Sequence, residues 1–441
     1  MNWTGLPSGN GGARLVIEGA FWTSFTTLWS LGMFSNIQGR ASLPKRLLYY
    51  LVQLKHMRPI YLDNAATTPL RDEVRDAMLP ILQGDFGNPS SAHTWGRRAS
   101  ARLEEARERV AEAIGANRRE IYFVRGGTES DNLAVIGRAA AAFEQSGADH
   151  VVVTAIEHRA VLEASARVEE QGGRRTVLPV GSDGGIDLDA LEAVLADGVA
   201  LVSAMTVNNE VGIQLPIEEI AQRTSARGVS LHTDAVQAIG KVPVRVDVVP
   251  VDMLSLTGHK IYGAKGTGVL FVREGVKVSP MLFGGGQEQA LRPGTEDVAG
   301  AVGMSVAVEL AANEREVEAP RLEALRDDLQ ARLTDSIESV RVHGETARRA
   351  PHVLNVGIPN VDPQLLLAGL DMEGIAASAG SACESGGKGG SHVLEAMYGA
   401  MEGMAAVRFS VGRSTTEGDI VRVAETTRSV VDTIRNRGEV S

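Results

Sequence analysis

Cysteine is almost absent from this sequence, since Cys383 is the only one among 441 residues. A single thiol excludes an internal disulfide framework and fits a protein of the reducing cytoplasm. Free cysteine usually lies in an apolar core, whereas Cys383 stands in the glycine- and serine-rich stretch SAGSACESGGKGGSHV (378–393). The stretch by itself leaves two interpretations open, an incidental surface thiol and a nucleophile on a glycine-rich arm.

Positive charge and long apolar runs are also scarce. Lys and Arg number 44 against 55 Asp and Glu, which gives a formal net charge of −11. This balance argues against nucleic acid as a direct partner, because phosphate binding needs an excess of clustered cations. The apolar run 15–34 is interrupted by Glu18 and by several Thr and Ser, so we expect no membrane-spanning helix.

Aromatic residues make up only 4% of the chain, and they are unevenly distributed. The first 56 residues contain Trp3, Phe21, Trp22, Phe25, Trp29, Phe34, Tyr49 and Tyr50. The composition changes at Met57. We therefore interpret residues 1–57 as an N-terminal extension that is non-native because translation begins at Met57, with a targeting presequence or a disordered segment as the alternatives.

From Ile60 onward, short β-branched runs alternate with Ala-, Glu- and Arg-rich stretches, which predicts an α/β fold. Five predicted strands each precede a polar cluster, namely EIYFV (120–124), HVVVTA (150–155), VALVSAM (199–205), VSLHT (229–233) and DMLSL (252–256). Ligands bind at the carboxyl ends of strands in open α/β sheets, so we expect a site at this edge. From about Glu314, long amphipathic helices and short strands indicate a smaller α+β domain that carries Cys383.

The cluster RGGTESDN (125–132) predicts a glycine turn that leads into a helix, with Thr128 and Asp131 in the T-x-x-D capping pattern. Backbone N–H groups at such a helix start bind phosphate. A capped helix without a ligand fits the pattern equally well. The spaced glycines of a Walker motif or a dinucleotide fingerprint are absent.

Lys260 follows the predicted strand DMLSL and is a candidate for a Schiff base, because a partly desolvated amine attacks carbonyls. A solvated surface lysine is the alternative. Asp234 ends another predicted strand, where it is either a loop residue or the partner of a pyridine nitrogen. Lysine, aspartate and a phosphate-binding helix start together indicate pyridoxal phosphate (PLP).

Nine ordered motifs resemble those of group I (long-loop) cysteine desulfurases of the iron–sulfur cluster and nitrogenase maturation type, in the class-V aminotransferase family. They are YLDNAATTP (61–69), GGTESDN (126–132), EHRAVL (157–162), NNEVG (208–212), TDAVQAIGK (233–241), GHKIYGAKG (258–266), RPGTED (292–297), GSAC (380–383) and RFSVGR (408–413). The resemblance covers the chain from about Arg58 to near Arg435.

The resemblance implies a fold-type I PLP-dependent transferase, an α/β protein that works as a homodimer with sites at the subunit interface. We expect a large PLP-binding domain over residues 71–314 with a mostly parallel seven-stranded sheet. Residues 58–70 with 315–435 would form the small α+β domain, and residues 436–441 a tail.

Carried over to the matching motifs, the resemblance implies roles for single residues. Lys260 would hold the cofactor aldehyde, Asp234 would keep the ring nitrogen protonated, and His158 would stack on the ring and move protons. Arg408 would bind the substrate carboxylate through its planar fork, with help from Asn64, whose alternative role is that of a turn residue. Further cofactor contacts would come from Gly127, Thr128, Asn209, Gln237, Thr257, His259 and, from the second subunit, Thr295.

The implied reaction removes sulfur from L-cysteine, releases L-alanine and leaves a persulfide on Cys383, whose thiolate attacks the substrate sulfur. The persulfide would pass to acceptors for iron–sulfur cluster assembly or tRNA thiolation. We expect no resident metal, although Cys383 would be able to ligate an iron–sulfur cluster transiently with a scaffold partner.

Some alternatives stay open at this point. The run ESGGKGG (384–390) is richer in glycine than the long-loop pattern, which leaves the choice of acceptor open. A selenocysteine lyase, or another PLP lyase or aminotransferase on the same fold, is the nearest rival. A catalytically silent scaffold is disfavoured because Lys260 and Cys383 are both present.

Overall fold

The computed structural model describes residues 58–195, 198–379, 390–400 and 403–438. The N-terminal extension 1–57 and the predicted nucleophile Cys383 lie outside these residues. The strands are β1 (Ile60–Tyr61), β2 (Ile121–Val124), β3 (His150–Thr154), β4 (Arg174–Leu178), β5 (Val199–Ser203), β6 (Ser230–Asp234), β7 (Met253–Thr257), β8 (Gly268–Val272), β9 (Arg341–Val342), β10 (Val353–Pro359), β11 (Ile375–Ala376) and β12 (Met404–Ser410).

Helices alternate with these strands through most of the chain, as the sequence predicts for an α/β fold. They are α1 (Asp72–Gln83), α2 (Thr94–Ile114), α3 (Gly127–Asn132), α4 (Arg138–Ser146), α5 (Arg159–Glu170), α6 (Leu188–Val194), α7 (Ile217–Ala226), α8 (Val298–Ser336), α9 (Pro363–Met372), α10 (His392–Tyr398) and α11 (Glu417–Gly438). A π-helical turn, Leu133–Gly137, joins α3 to α4.

The main sheet has seven strands in the order β2-β8-β7-β6-β5-β3-β4. Strand β8 runs antiparallel to both of its neighbours, while β7, β6, β5, β3 and β4 pair in parallel. Every residue of β5, β6, β7 and β8 is buried, as expected for central strands that are covered on both faces. The predicted mostly parallel, seven-stranded sheet is therefore confirmed.

The strand order creates a crevice between β3 and β5. Strand β3 leads through α5 to β4 on one side, and β4 then leads through α6 to β5 on the other side of β3. Connections that depart in opposite directions leave a gap at the carboxyl ends of the two strands, which is the usual ligand site in such sheets. The five predicted strands end at this edge.

Apolar side chains alternate between the two faces of the main sheet. Val152, Val202 and Leu231 lie in the core on one face, while their neighbours Val151 and Leu201 lie in the core on the other face. This period of two follows from the pleat of a strand. Both faces are therefore packed with apolar side chains. The polar residues of the central strands lie at the carboxyl edge and at a few buried positions.

A smaller antiparallel sheet has the order β12-β10-β9, and β1 pairs in parallel with β11. These strands pack with the second half of α8, with α9 and with α11 around a separate apolar core that includes Leu62, Leu329 and Phe409. Asp63 forms a bridge to Ser410, so the segment that follows β1 lies beside the end of β12.

Helix α8 is 39 residues long and contacts both α2 and α11. The amphipathic helix expected from about Glu314 is thus the second half of a longer helix. The domain boundary expected between residues 314 and 315 falls within α8, and the division into two domains stays a prediction.

Candidate active site

Four site residues predicted from sequence lie just beyond neighbouring strands of the main sheet. His158 follows β3, Asn209 follows β5, Asp234 ends β6, and Lys260 ends the short 3₁₀ turn Gly258–Lys260 after β7. Parallel strands deliver their carboxyl ends to one edge, so residues far apart in sequence meet there.

Lys260 points toward the segment that follows β1. Its Nζ donates hydrogen bonds to the carbonyl oxygens of Ala65 at 2.6 Å and Ala66 at 2.7 Å. The Nζ of Lys241 donates to the carbonyl oxygen of Lys260 at 2.9 Å. Burial, and then the charge of Lys260, lower the pKa of Lys241 to about 7. Lys260 is therefore not a solvated surface lysine, because the YLDNAATTP segment covers it.

Asp234 is a buried carboxyl, and its Oδ1 accepts a hydrogen bond from the backbone N–H of Val236 at 2.8 Å. Burial raises the pKa of Asp234, whereas His158, the hydrogen bond from Val236 and the charge of Lys260 oppose that rise. Lys260 is therefore a cationic neighbour of this carboxyl. The carboxyl is well suited to hold a proton on a basic nitrogen.

His158 is the N-terminal capping residue of α5. Its Nδ1 accepts a hydrogen bond from the backbone N–H of Ala160 at 3.1 Å, which leaves any ring proton of the neutral form on Nε2. Burial lowers the pKa of His158, Asp234 acts to raise it, and Lys260 and His392 lower it further. The lowered pKa favours the neutral imidazole, in which Nε2 carries the proton and acts as the hydrogen-bond donor.

Gly127 and Thr257 come together across the start of α3. A Cβ atom on Gly127 would lie 4.0 Å from the Cβ of Thr257 and 3.0 Å from Val236. The hydroxyl of Thr257 donates to the carbonyl of Thr267 at 3.0 Å, and His259 contacts the Thr67 hydroxyl at 3.2 Å. Thr257 therefore lies beside the start of α3, whereas His259 contacts the segment after β1, and the phosphate contacts expected of these residues stay predictions.

The predicted T-x-x-D cap of α3 is wrong. Helix α3 begins at Gly127, its capping residue is Gly126, and no side chain caps it. Thr128 is exposed and already lies inside the helix. Asp131 is buried instead of capping, with Oδ1 3.7 Å from Nε2 of His232 on β6. Tertiary burial of Asp131 has overridden the local pattern, and the Gly126 backbone, with φ of 142°, makes the turn.

Gln237 shares a hydrogen-bond acceptor with Lys260. Its Nε2 donates to the carbonyl of Ala65 at 2.8 Å, and its Oε1 lies 3.1 Å from Nε2 of buried His352. Asn209 uses its backbone carbonyl to accept a hydrogen bond from Arg408 at 2.9 Å. Both residues lie at the site edge, and their predicted contacts with the cofactor ring stay predictions.

Arg408 lies on β12 and is only 2% exposed. Its Nη2 is 2.7 Å from Oδ1 of Asp63, and its Nη1 bonds to Asn209. Asn64, also buried, donates from Nδ2 to the carbonyl of Ser410 at 2.8 Å and lines the same cleft as Lys260. The structure therefore places Asn64 in the same cleft as Lys260, within the turn that follows β1, and the substrate-binding roles of Asn64 and Arg408 stay predictions.

Thr295 is exposed in the loop before α8. Its expected contact with the second subunit concerns a partner chain, and it stays a prediction. Arg125, for which the sequence suggested no role, forms an ion pair with Asp297 at 2.9 Å in this region.

The described residues on both sides of the Cys383 segment are tied to the site. Ser378 pairs with Arg408 through backbone hydrogen bonds, with Arg408 N–H donating at 2.7 Å. Ser391 donates to the buried Glu210 carboxylate at 2.5 Å, and His392 Nε2 lies 3.0 Å from the Glu157 carbonyl. The ends of the segment are therefore fixed beside Arg408 and beside His158.

Four residues near the site were not singled out from sequence, namely Asp63, Lys241, His352 and Glu157. Asp63, Lys241 and Glu157 lie inside the quoted motifs YLDNAATTP, TDAVQAIGK and EHRAVL, so adjacency to predicted site residues was an available signal. His352 follows a proline before β10, and nothing in the local pattern marks it. In the described part of the chain, no cluster of three or more His, Asp or Glu suits a metal ion.

Among the helices described here, none combines the length and apolar character needed to cross a membrane. The sequence profile of class-V aminotransferases matches residues 60–423. The chain belongs to the class-V aminotransferase family. The residues gathered at the carboxyl edge all lie within the matched part of this class-V aminotransferase.

One curated relative and two solved structures show which members of the family this chain resembles. The class-V aminotransferase is 42% identical over 379 residues to the cysteine desulfurase IscS of Dictyoglomus turgidum, covering 86% of this chain and 96% of the relative. A solved NifS-like protein superimposes with a TM-score of 0.80 at 33% identity, over 85% of this chain and all of the other. SspA, solved in complex with cysteine, gives a TM-score of 0.70 at 32% identity, over 80% and 98% of the two chains.

The predicted family, fold type and enzyme type are confirmed by these matches. The Dictyoglomus relative is a cysteine desulfurase, which favours that activity over a selenocysteine lyase or an aminotransferase on the same fold.

Proposed function

We propose that this class-V aminotransferase is a PLP-dependent cysteine desulfurase that converts L-cysteine to L-alanine and transfers the sulfur to Cys383. The observation that carries the proposal is the meeting of Lys260, Asp234 and His158 at the sheet edge, with Asn64 in the same cleft as Lys260.

The residues fit PLP on three counts. Lys260 presents an amine that is held by two carbonyl oxygens, so it is directed rather than free to move. Asp234 is a buried acid with Lys260 as a nearby charge. A cationic ring nitrogen would further stabilise the carboxylate. Gly127 stands where a side chain would crowd Val236, which leaves the helix start open for a phosphate.

When bound, PLP supplies an aldehyde that condenses with amines and an electron-withdrawing ring that weakens bonds at the substrate's α and β carbons. Asp234 would hold the proton on the ring nitrogen. Lys260 would bind the aldehyde and, once released by the substrate amine, serve as a base next to the α carbon. His158 would lie against the ring and move a proton at Nε2.

Gly127, Thr128, Thr257 and His259, with Thr295 of the second subunit, are proposed to bind the phosphate, and Asn209 and Gln237 the ring oxygen. Arg408 and Asn64 are proposed to hold the carboxylate of L-cysteine. The planar guanidinium suits that group, and its partner Asp63 keeps it oriented at 2.7 Å before the substrate arrives.

The sulfur step balances without an added oxidant. The Cys383 thiolate attacks the substrate sulfur, an S–S bond forms, and the bond between that sulfur and the β carbon breaks. The β carbon takes up a proton and leaves as part of L-alanine, so the carbon is reduced as the transferred sulfur is oxidised. A thiolate is required for the attack, and nearby cations would favour it.

A homodimer is part of the proposal. Met281, Leu282 and Phe283 are 40%, 53% and 88% exposed, and they precede the loop that carries Thr295. A contiguous apolar patch at the surface marks an interaction site, and a second copy seated there would bring Thr295 toward another cleft. We also propose a cytoplasmic enzyme with an iron–sulfur scaffold protein or another sulfur-acceptor protein as partner, and no direct contact with nucleic acid or membrane.

The domain division is proposed in the same terms, with residues 58–70 and 315–435 in the small domain and 71–314 in the large one. The separate apolar core of the smaller sheet supports it, and the core of the main sheet also takes in Val393, Leu394 and Met397 of α10.

The test measures alanine and sulfide made from L-cysteine under a reductant, with the visible cofactor band recorded for the parent and for Cys383→Ala. The parent should be yellow and release both products in equal amounts, while the variant stays yellow and releases no sulfide. Ser385→Ala, in the same segment, is the matched control and should behave as the parent. Full sulfide release by Cys383→Ala would show that the thiol is incidental and that the enzyme is a lyase.

A further inference from the structure

Three buried carboxyl groups at the carboxyl edge of the main sheet are near enough to interact electrostatically. Asp131 on α3, Glu157 after β3 and Asp234 on β6 are 1%, 0% and 5% exposed. Each of the first two feels the charge of Asp234, and Asp131 also feels that of Glu157. Three negative charges cannot share a buried region of this size without a large cost.

The Glu157 carboxyl is held by two hydrogen bonds to one of its oxygens. Its Oε1 accepts from the Thr154 hydroxyl at 2.6 Å and from the Met205 N–H at 2.8 Å. Its buried Oε2 has no hydrogen-bond partner among the residues that the structure describes. The nearby His392 contacts the backbone carbonyl of Glu157 through Nε2 at 3.0 Å.

Among the described residues, the basic side chain within ion-pair distance of Asp131 is His232, with Nε2 3.7 Å from Oδ1. The His232 ring is bound between the hydroxyls of Ser203 at 2.8 Å and Ser255 at 2.9 Å. Burial lowers the pKa of His232 to about 3, so the ring is neutral. Burial and the charge of Asp234 raise the pKa of Asp131, and a hydrogen bond with Ser255 only partly offsets this.

Asp234 differs from the other two because His158 and Lys260 face it from the open side of the sheet edge. Burial raises the pKa of Glu157 to about 8, although the hydrogen bonds from Thr154 and Met205 act to lower it. A single negative charge in the cluster is therefore most stable on Asp234.

We propose that Glu157 is a positioning residue that keeps its proton at neutral pH, as Asp131 does, so that the charge of the buried cluster resides on Asp234 alone. The consequence for PLP rests on the proposed function. When Glu157 is neutral, Asp234 is the one carboxylate of this cluster that acts on the ring nitrogen. When Glu157 ionises at higher pH, the cluster gains a second negative charge.

The experiment combines infrared and visible titrations of the full chain, reconstituted with PLP, across the pKa of about 8. The parent should lose the carbonyl band of a buried protonated carboxyl as the pH rises through that value, and the visible band should shift over the same range. Glu157→Gln should lose both changes, because its side chain cannot ionise. Glu163→Gln, an exposed acid of the following helix, is the matched control and should keep them.

An unchanged infrared and visible titration in Glu157→Gln would overturn the proposal. If PLP does not bind, no visible band forms, but the infrared titration of the same chain still reports the proton on Glu157, so the two failures are distinguishable. If Glu157→Gln does not fold, the parent alone decides, because the absence of any buried protonated carboxyl at neutral pH also overturns it.

Discussion

Arg408 and Asp63 form an ion pair at 2.7 Å, with Arg408 2% exposed and the Asp63 side chain 20% exposed. The pair joins β12 to the segment after β1, which are 345 residues apart in the chain. A buried guanidinium needs an anion, and Asp63 supplies it in the absence of substrate.

Asp63→Asn should therefore lower the stability of the ligand-free protein by about 1–3 kcal/mol, because a buried charge loses its partner. L-Alanine, which carries the substrate carboxylate but no sulfur, should raise the melting temperature of the variant more than that of the parent, since it replaces the missing anion. Thermal unfolding with and without L-alanine measures this.

Asp72→Asn is the control for that comparison, because Asp72 pairs with Arg75 on the surface with its side chain 79% exposed. It should change stability by less than about 0.5 kcal/mol. An equal L-alanine shift in Asp63→Asn and the parent would contradict the role given to the ion pair.

Glu288 and Arg107 form a second buried pair, with two bonds of 2.8 Å and side chains 2% and 9% exposed. Glu288 sits at φ of 45° and also accepts the N–H of Phe123 at 2.8 Å. Glu288→Gln should cost about 3–5 kcal/mol, because Arg107 loses its buried anionic partner and keeps only the exposed Glu104. The double variant with Arg107→Met should lose less than the two single losses added together.

Denaturant unfolding of the parent, the two single variants and the double variant measures the coupling free energy between Arg107 and Glu288. Glu104→Gln removes the exposed partner of Arg107 and should cost under about 1 kcal/mol. Strict additivity of Arg107→Met and Glu288→Gln would show that the pair is not coupled.

His232 gives a pH dependence with a definite sign. Its pKa is lowered to about 3 by burial, so between pH 3 and its ordinary value near 6.5 the unfolded chain binds one more proton than the folded one. The contribution of neutral His232 is present above that ordinary value and is lost as the pH falls, by up to about 1.4 kcal/mol per pH unit.

His232→Asn removes this titration, so its stability relative to the parent should improve as the pH is lowered from neutral toward acid. Urea unfolding of both proteins at several pH values measures the difference. The raised pKa of Glu157 acts with the opposite sign in both proteins and cancels. A difference that does not vary with pH would mean that His232 titrates normally.

Gly412 lies against Asn64 so closely that a Cβ at position 412 would overlap the Asn64 amide. Gly412→Ala should displace Asn64 and raise KM for L-cysteine about 3- to 10-fold, which corresponds to roughly 1 kcal/mol of binding, with the cofactor band unchanged. Gly418→Ala is the control, since its Cβ would come no closer than 3.9 Å to any atom. Steady-state kinetics decide, and an unaltered KM in Gly412→Ala would remove Asn64 from substrate binding.

Local patterns were sufficient for the strands and insufficient for the cap of α3. VALVSAM and VSLHT predict β5 and β6 to within two residues, because β-branched residues favour the strand conformation wherever the sheet places them. Thr128 and Asp131 fit a capping pattern equally well, yet Asp131 is buried beside His232. The spacing of a capping pattern carries no information on which strand will pack against the helix.

The α/β class, the family and the polar clusters at strand ends were predictable from the sequence, because strand and helix patterns and contiguous motifs are local properties of the chain. Contacts between distant residues, such as Asp63 with Arg408 and the Glu157 carboxyl with the Met205 N–H, form only in the folded chain. The charge states of buried groups depend on the fold as well. Burial and the charges of distant residues set the pKa values of Glu157, His232 and Asp234, and neither is encoded within a few residues of those positions.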